Sequence, residues 1–298
     1  MADIDEPVPH RLAANFPWSR LGQPTVTGSQ LADKGRRAVR RLGEWGITVP
    51  PGSRLLRAID IVDRRIGETF EAPEVETAAA QTILDFYLIT HAQADKPPSP
   101  VLERLAEALS GGDRVTSDSD RRPRDVQFEL EVWAVFRVGG VDISFREPDL
   151  IFQMGAQTIG IAAKRIWSVE QAHKRLSEAA EQIERAGLRG MIATNVQEYL
   201  NGVEADLDLA SKGKAFDVDV RRLHGQMPYL AGKKHVIGIM LRGTGAKAGA
   251  DIPGAPRGHA VSNYNQTFMF LEEHEGPPFE DLFKHIGESL QEWYRCHL

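Results

Sequence analysis

The chain has 298 residues, 42% of them hydrophobic and 26% charged, with 27 Gly and 17 Pro, enough to bury the core of one large domain or of two smaller ones. Thirty-six basic against 42 acidic side chains leave a formal charge of −6, which excludes a polybasic protein that coats nucleic acid or an anionic membrane by charge alone. The single cysteine, Cys296, excludes intramolecular disulfides, thiolate zinc sites and iron–sulfur clusters.

The first residues are acidic and proline-bearing and lack a charged-then-apolar signal pattern. No stretch approaches the ~18–20 apolar residues that span a bilayer. A soluble, cytoplasmic protein without membrane contact is therefore expected. Pro7, Pro9, Pro17 and Pro24 mark the first 30 residues as an irregular arm. Helical spacing follows over Gln30–Glu44 and over Ser53–Phe70, where Leu55, Ile59, Val62 and Ile66 recur every three or four residues. Pro50-Pro51-Gly52 separates the two, and Ser53 is placed to cap the second. A third helix is predicted over Pro73–Ala92 and a short fourth one through Leu109, with a polar linker to Asp120. Residues 1–118 thus read as an all-helical domain. Its Arg36-Arg37 and Arg40-Arg41 pairs suit either phosphate contacts or an ordinary solvated face.

Residues 119–298 read as a second, α/β domain. Val126–Val138 is a helix with Phe128, Val132, Val135 and Phe136 on its apolar side, stopped by Gly139-Gly140. Strands follow at Val141–Phe145, Leu150–Met154 and Thr158–Ala163, the last two joined by a two-residue turn at Gly155-Ala156. Ser168-Val169-Glu170-Gln171 opens a helix with a capping-box pattern and an apolar stripe of Val169, Ala172, Leu176, Ala179 and Ile183. A buried strand at Gly190–Val196 completes a helix, three strands, helix, strand order, so the last helix crosses over to a parallel neighbour. Beyond it we expect a basic helical stretch over Lys212–Leu230, strands at His235–Leu241 and Tyr264–Leu271 with a Gly/Ala-rich loop between them, and a terminal helix after Pro277-Pro278. Arg242-Gly243-Thr244-Gly245-Ala246-Lys247 lacks the spacing of a phosphate loop and reads as a mobile loop.

The hairpin turn sets the register. Cross-strand positions sum to 311, so Asp149 faces Ala162 and Glu147 faces Lys164, and period two puts Ala162 and Lys164 on one face. Asp149, Glu147 and Lys164 therefore gather near the hairpin's open end, with Glu129 and Glu131 on the preceding helix. A lysine beside two or three carboxylates suits metal-assisted phosphodiester cleavage. Carboxylates hold hard cations such as Mg²⁺, and the lysine orients the attacking water and offsets transition-state charge. Arg165 follows the lysine, Lys174 and Arg175 lie on the next helix, and Lys212, Lys214, Arg221 and Arg222 cluster downstream. These are the candidate contacts to nucleic acid.

Glu129, then Glu147-Pro148-Asp149, then Ala162-Ala163-Lys164, then Gln182, resembles the PD-(D/E)XK nuclease superfamily over roughly a quarter of the chain. The resemblance implies a restriction-endonuclease-like mixed sheet flanked by helices. It makes Asp149 a metal ligand, Lys164 the catalytic lysine and Gln182 the polar helix position. It also makes the Ala163 carbonyl a ligand to Mg²⁺ or Mn²⁺. Glu129 lies eleven residues before Gly140, the spacing of the archaeal Holliday-junction resolvases of this superfamily, which favours it over Glu131 as the second acid, with Glu147 and Glu178 as further sources. The chain departs from the family at Ala162, where the family has an acidic residue. By resemblance we expect an endonuclease on double-stranded DNA, of the kind found in restriction or anti-phage defence, working as a homodimer or with a defence-system partner. The alternatives are a catalytically silent nuclease-like DNA-binding or scaffold subunit, and an unrelated α/β protein in which Asp149 and Lys164 form a structural ion pair.

Overall fold

The structure, a computed structural model, describes residues 10–16, 25–64, 73–110, 121–166, 169–195, 235–249, 260–272 and 277–297. In chain order the elements are β1 (His10–Phe16), β2 (Thr25–Thr27), α1 (Gly28–Glu44), α2 (Arg54–Arg64), α3 (Pro73–His91), α4 (Ser99–Ala108), α5 (Arg122–Val138), β3 (Ile143–Arg146), β4 (Asp149–Met154), β5 (Gln157–Arg165), α6 (Val169–Ala186), β6 (Arg189–Asn195), β7 (Val236–Gly249), β8 (Ala260–Glu272) and α7 (Pro277–His297). The chain is mixed α/β and forms two compact units from discontinuous segments. Among the described residues no helix is long and apolar enough to cross a membrane.

The helical unit comprises residues 20–145, 244–265 and 288–298. The runs predicted as helices form α1 to α4, and the expected end of the second at Phe70 lies outside the described residues. Ser53 Oγ accepts the Leu56 N–H at 3.3 Å, so the predicted cap is made. Leu31, Leu42, Leu55, Ile59, Ile83, Phe86 and Leu105 are buried together with the α5 side chains Phe128, Trp133 and Phe136. Helix α5 starts at Arg122, four residues before the expected Val126, because Pro123 is tolerated in a first turn, where its missing N–H has no intrahelical partner to lose. It is also buried nearly all round rather than on one side, and takes Gln127, Glu129 and Glu131 in with it. A polar network accommodates them. Gln127 Nε2 donates to Asp85 Oδ2 at 2.8 Å and to Glu131 Oε1 at 3.2 Å. Arg54 donates to Gln127 Oε1 and to the Ala108 carbonyl.

The sheet unit comprises residues 1–19, 146–243 and 266–287, with its strands in the order β1-β8-β7-β6-β5-β4. Strands β4 and β5 are antiparallel, and the pairs Leu150↔Ile161, Phe152↔Ile159 and Met154↔Gln157 realise the expected sum of 311. Strands β5 and β6 are parallel, as the intervening helix requires, and β6 and β7 are parallel as well. On α6 the predicted stripe is buried at Ala172, Leu176, Ala179 and Ile183, and burial of the two larger side chains contributes roughly 2 kcal/mol each.

Three expectations are corrected. The N-terminal arm is not irregular throughout, since β1 and β2 both pair antiparallel with β8. The Arg242–Lys247 segment is not a loop, since β7 runs to Gly249. In both cases hydrogen bonds to neighbouring strands override the weak strand propensity of Ala, Asn and Gly. Strand β5 extends through Lys164 and Arg165 rather than ending at Ala163. The basic stretch Lys212–Leu230 lies outside the described residues.

Candidate active site

Asp149 opens β4 directly after the turn Glu147-Pro148, whose peptide bond is cis. The turn rests on a bare patch of sheet. A Cβ built at Gly160 would lie 2.8 Å from Pro148 Cδ, and one at Gly190 would lie 2.7 Å from the Gly160 carbonyl oxygen. Glycine at both positions lets the turn and the two parallel strands approach this closely.

The strand pleat brings the Asp149 carboxylate onto β5. Its Oδ2 accepts the Ala163 N–H at 2.8 Å and the Lys164 ammonium at 3.0 Å. Its Oδ1 accepts Gln182 Nε2 at 2.9 Å, and the same amide donates to the Pro148 carbonyl. Gln182 reaches this position because α6 packs on β5 and β6 through its apolar stripe, which turns the polar position 182 toward the strand ends. Side-chain exposure is 18% for Lys164 and 14% for Asp149, so the pair is largely shielded from bulk water. Ala162 shares the Lys164 face and is fully buried.

The structure thus brings Asp149, Lys164, Ala163 and Gln182 together. Glu147 is exposed on the turn. Glu129 belongs to the helical unit, where it is 5% exposed and lies 3.5 Å from Arg104 and 3.8 Å from Arg122. Arg165 is buried at the end of β5, level with Asn195 of β6 and, through it, with Arg242 of β7. Lys174 and Arg175 both pair with Glu178, at 3.9 and 3.3 Å. Lys212, Lys214, Arg221 and Arg222 lie outside the described residues. Sequence reasoning missed the Ala163 N–H as a donor to Asp149 and the two arginines on Glu129. The hairpin register carried a signal for the first; for the second, Arg122 lies two turns before Glu129 on the same helix, while nothing local pointed to Arg104.

The donor set decides what kind of ion fits. Among the described residues no group of three or more His, Cys, Asp or Glu side chains is arranged to hold a metal. One carboxylate, Asp149, and the Ala163 carbonyl remain. That set does not fit a pair of bridging cations. Compared with models of protein families, with curated proteins and with solved structures, the chain matches none.

Proposed function

We propose that the chain is a metal-dependent endonuclease of the PD-(D/E)XK type, with a restriction-endonuclease-like core, that hydrolyses phosphodiester bonds of double-stranded DNA. The observation that carries this reading is the single Asp149 carboxylate engaged at once by Lys164, Ala163 and Gln182. In this reading Asp149 and the Ala163 carbonyl hold one Mg²⁺ or Mn²⁺, which when bound supplies an acidified water and a counter-charge for the leaving oxygen. Lys164 would orient the attacking water and offset the charge on the phosphorus oxygens with its ammonium. Gln182 fixes the carboxylate rotamer, so the ligand is oriented before substrate arrives. Glu147, exposed on the turn beside Asp149, is the candidate second acid. A role in restriction or anti-phage defence, as a homodimer or beside a partner protein, extends the same reading.

A second reading is favoured by two specific observations. Ala162 presents a fully buried methyl group where the family has an acid, and Glu129 is already held by Arg104 and Arg122. A catalytically silent, nuclease-like DNA-binding or scaffold subunit would look the same. Plasmid DNA incubated with the full chain in Mg²⁺, Mn²⁺ or EDTA separates the two. Metal-dependent nicking that disappears in both Asp149→Ala and Lys164→Ala supports the enzyme. Binding without nicking in any metal supports the silent subunit.

A further inference from the structure

The chain as a whole is acidic, yet α1 concentrates five basic side chains, Lys34, Arg36, Arg37, Arg40 and Arg41, against two acidic ones, Asp33 and Glu44. Lys34, Arg37 and Arg41 recur at three- and four-residue spacing and so share one side of the helix. Two of them mark where that side lies within the helical unit. Lys34 Nζ is 5.0 Å from the Tyr87 ring centroid and donates to the His297 carbonyl. Arg41 donates to the Ala94 carbonyl in the loop after α3. At the edge of this face Trp293 and His297 stack 4.5 Å apart with their planes 10° from parallel, and Trp293 Nε1 donates to the His91 carbonyl at 3.2 Å. Arg36 and Arg40 stand exposed alongside.

The nearby carboxylates hold these cations weakly. Arg36 pairs with Asp63 at 3.0 Å and Arg37 with Asp33 at 2.7 Å, and in both pairs each side chain is more than a third exposed. Exposed pairs of this kind contribute about 0–1 kcal/mol, so a polyanion can displace the carboxylates at little cost. The surroundings also show a surplus of positive charge. Burial lowers the Lys34 pKa, and Arg37 lowers it further than Asp33 restores it. Burial, chiefly, and then the charges of Arg41, His297 and Arg37 lower the His91 imidazole to about 4.

We propose that the exposed cations of α1, Arg36, Arg37 and Arg40, which lie on or beside this side, form a contact surface for the phosphodiester backbone of nucleic acid. The choice of polyanion rests on the nuclease reading above. The surface gives the helical unit a part in holding substrate, and its contacts read phosphate and carry no sequence information. Tyr87 is 3% exposed and Tyr294 4%, and Trp293 lies partly covered with its ring against His297. They do not project as the wedges that enter an anionic membrane.

The test measures binding of a fluorescein-labelled duplex to the full chain in EDTA over a series of KCl concentrations. It compares wild type with Arg36→Gln/Arg37→Gln/Arg40→Gln, three exposed positions whose replacement spares the core, as a melting curve verifies. Each lost phosphate contact is expected to reduce the slope of log affinity against log salt by about 0.9, so the triple variant loses roughly 2–3 in slope and binds at least about tenfold more weakly at low salt. An unchanged slope and affinity overturn the assignment. So does loss of binding to phosphatidylserine vesicles with duplex binding intact, or a wild-type chain that fails to bind duplex at low salt. The two readings fail separately. Wild-type nicking with an unchanged slope in the variant leaves the nuclease standing without this surface. A reduced slope with no nicking in Mg²⁺ or Mn²⁺ leaves the surface standing without the nuclease.

Discussion

Replacing Ala162 with Asp introduces the carboxylate that the nuclease pattern has at this position, and the structure says what that does. The site is fully buried and shares the Lys164 face opposite Asp149, where cross-strand Cβ atoms are about 5 Å apart. Two carboxylates at that separation repel by roughly 3 kcal/mol at an effective dielectric of ~20. Lys164, 3.0 Å from Asp149 Oδ2, offsets part of this, while desolvation of the new group adds a comparable cost. A net loss of about 3 kcal/mol without metal follows, a fall in Tm of roughly 6–12 °C for a domain of this size. If the site holds one hard cation, the second carboxylate tightens it, and Mg²⁺ at about 100 times its Kd restores ~2.7 kcal/mol. Thermal melts of wild type and Ala162→Asp, each in EDTA and in Mg²⁺, make the comparison, with plasmid nicking as the activity readout. A variant melting equally in EDTA and in Mg²⁺ would refute the reasoning, because position 162 would then not face the cation. A wild type that gains as much from Mg²⁺ as the variant would refute it too.

Three other outcomes are expected. In a double-mutant cycle, Asp149→Asn and Lys164→Gln should couple by about 1–3 kcal/mol in urea unfolding, because the pair is mostly buried; coupling near zero means the two groups do not touch in solution. Gln182→Leu removes a donor from both Asp149 Oδ1 and the Pro148 carbonyl and should cost about 2 kcal/mol, and if the chain is a nuclease its kcat should fall more than its KM. His91 takes a proton in the unfolded chain near its ordinary pKa of 6.5 but in the folded chain only near 4. Its neutral form is thus favoured by folding, and it contributes no pH dependence above about 6.5. Stability should then fall as pH drops from about 6.5 to 4, and His91→Gln should flatten that part of the curve; an unchanged slope excludes His91 as its source.

The parts of the fold governed by short-range rules were legible. A two-residue turn at Gly155-Ala156 fixes the register, and with it the meeting of Asp149 and Lys164. Ser53 caps α2 as a serine before an apolar helical run should. The parts decided by distant partners were not legible. Nothing near Glu129 shows that Arg104 approaches it, because that contact exists only once α4 and α5 pack, whereas Arg122 shares α5 with Glu129 two turns earlier. The glycines and alanines of residues 243–249 have little intrinsic preference for a strand, and β7 extends through them because its neighbours supply hydrogen bonds. The burial of α5 on every side was hidden by its polar residues, whose partners Asp85 and Arg54 come from other helices.

The glycine at position 160 has a consequence for how function can be lost. It carries no chemical group, yet a single methyl there would collide with Pro148, the residue that precedes Asp149. The turn would have to lift, carrying Asp149 away from Lys164 and Ala163 while every polar residue of the site remains in place. If the chain is a nuclease, Gly160→Ala should therefore resemble Asp149→Ala in a screen for inactive variants, although the folded amount of protein falls little. The location of the carboxylate is set by an absence on the neighbouring strand as much as by the aspartate itself.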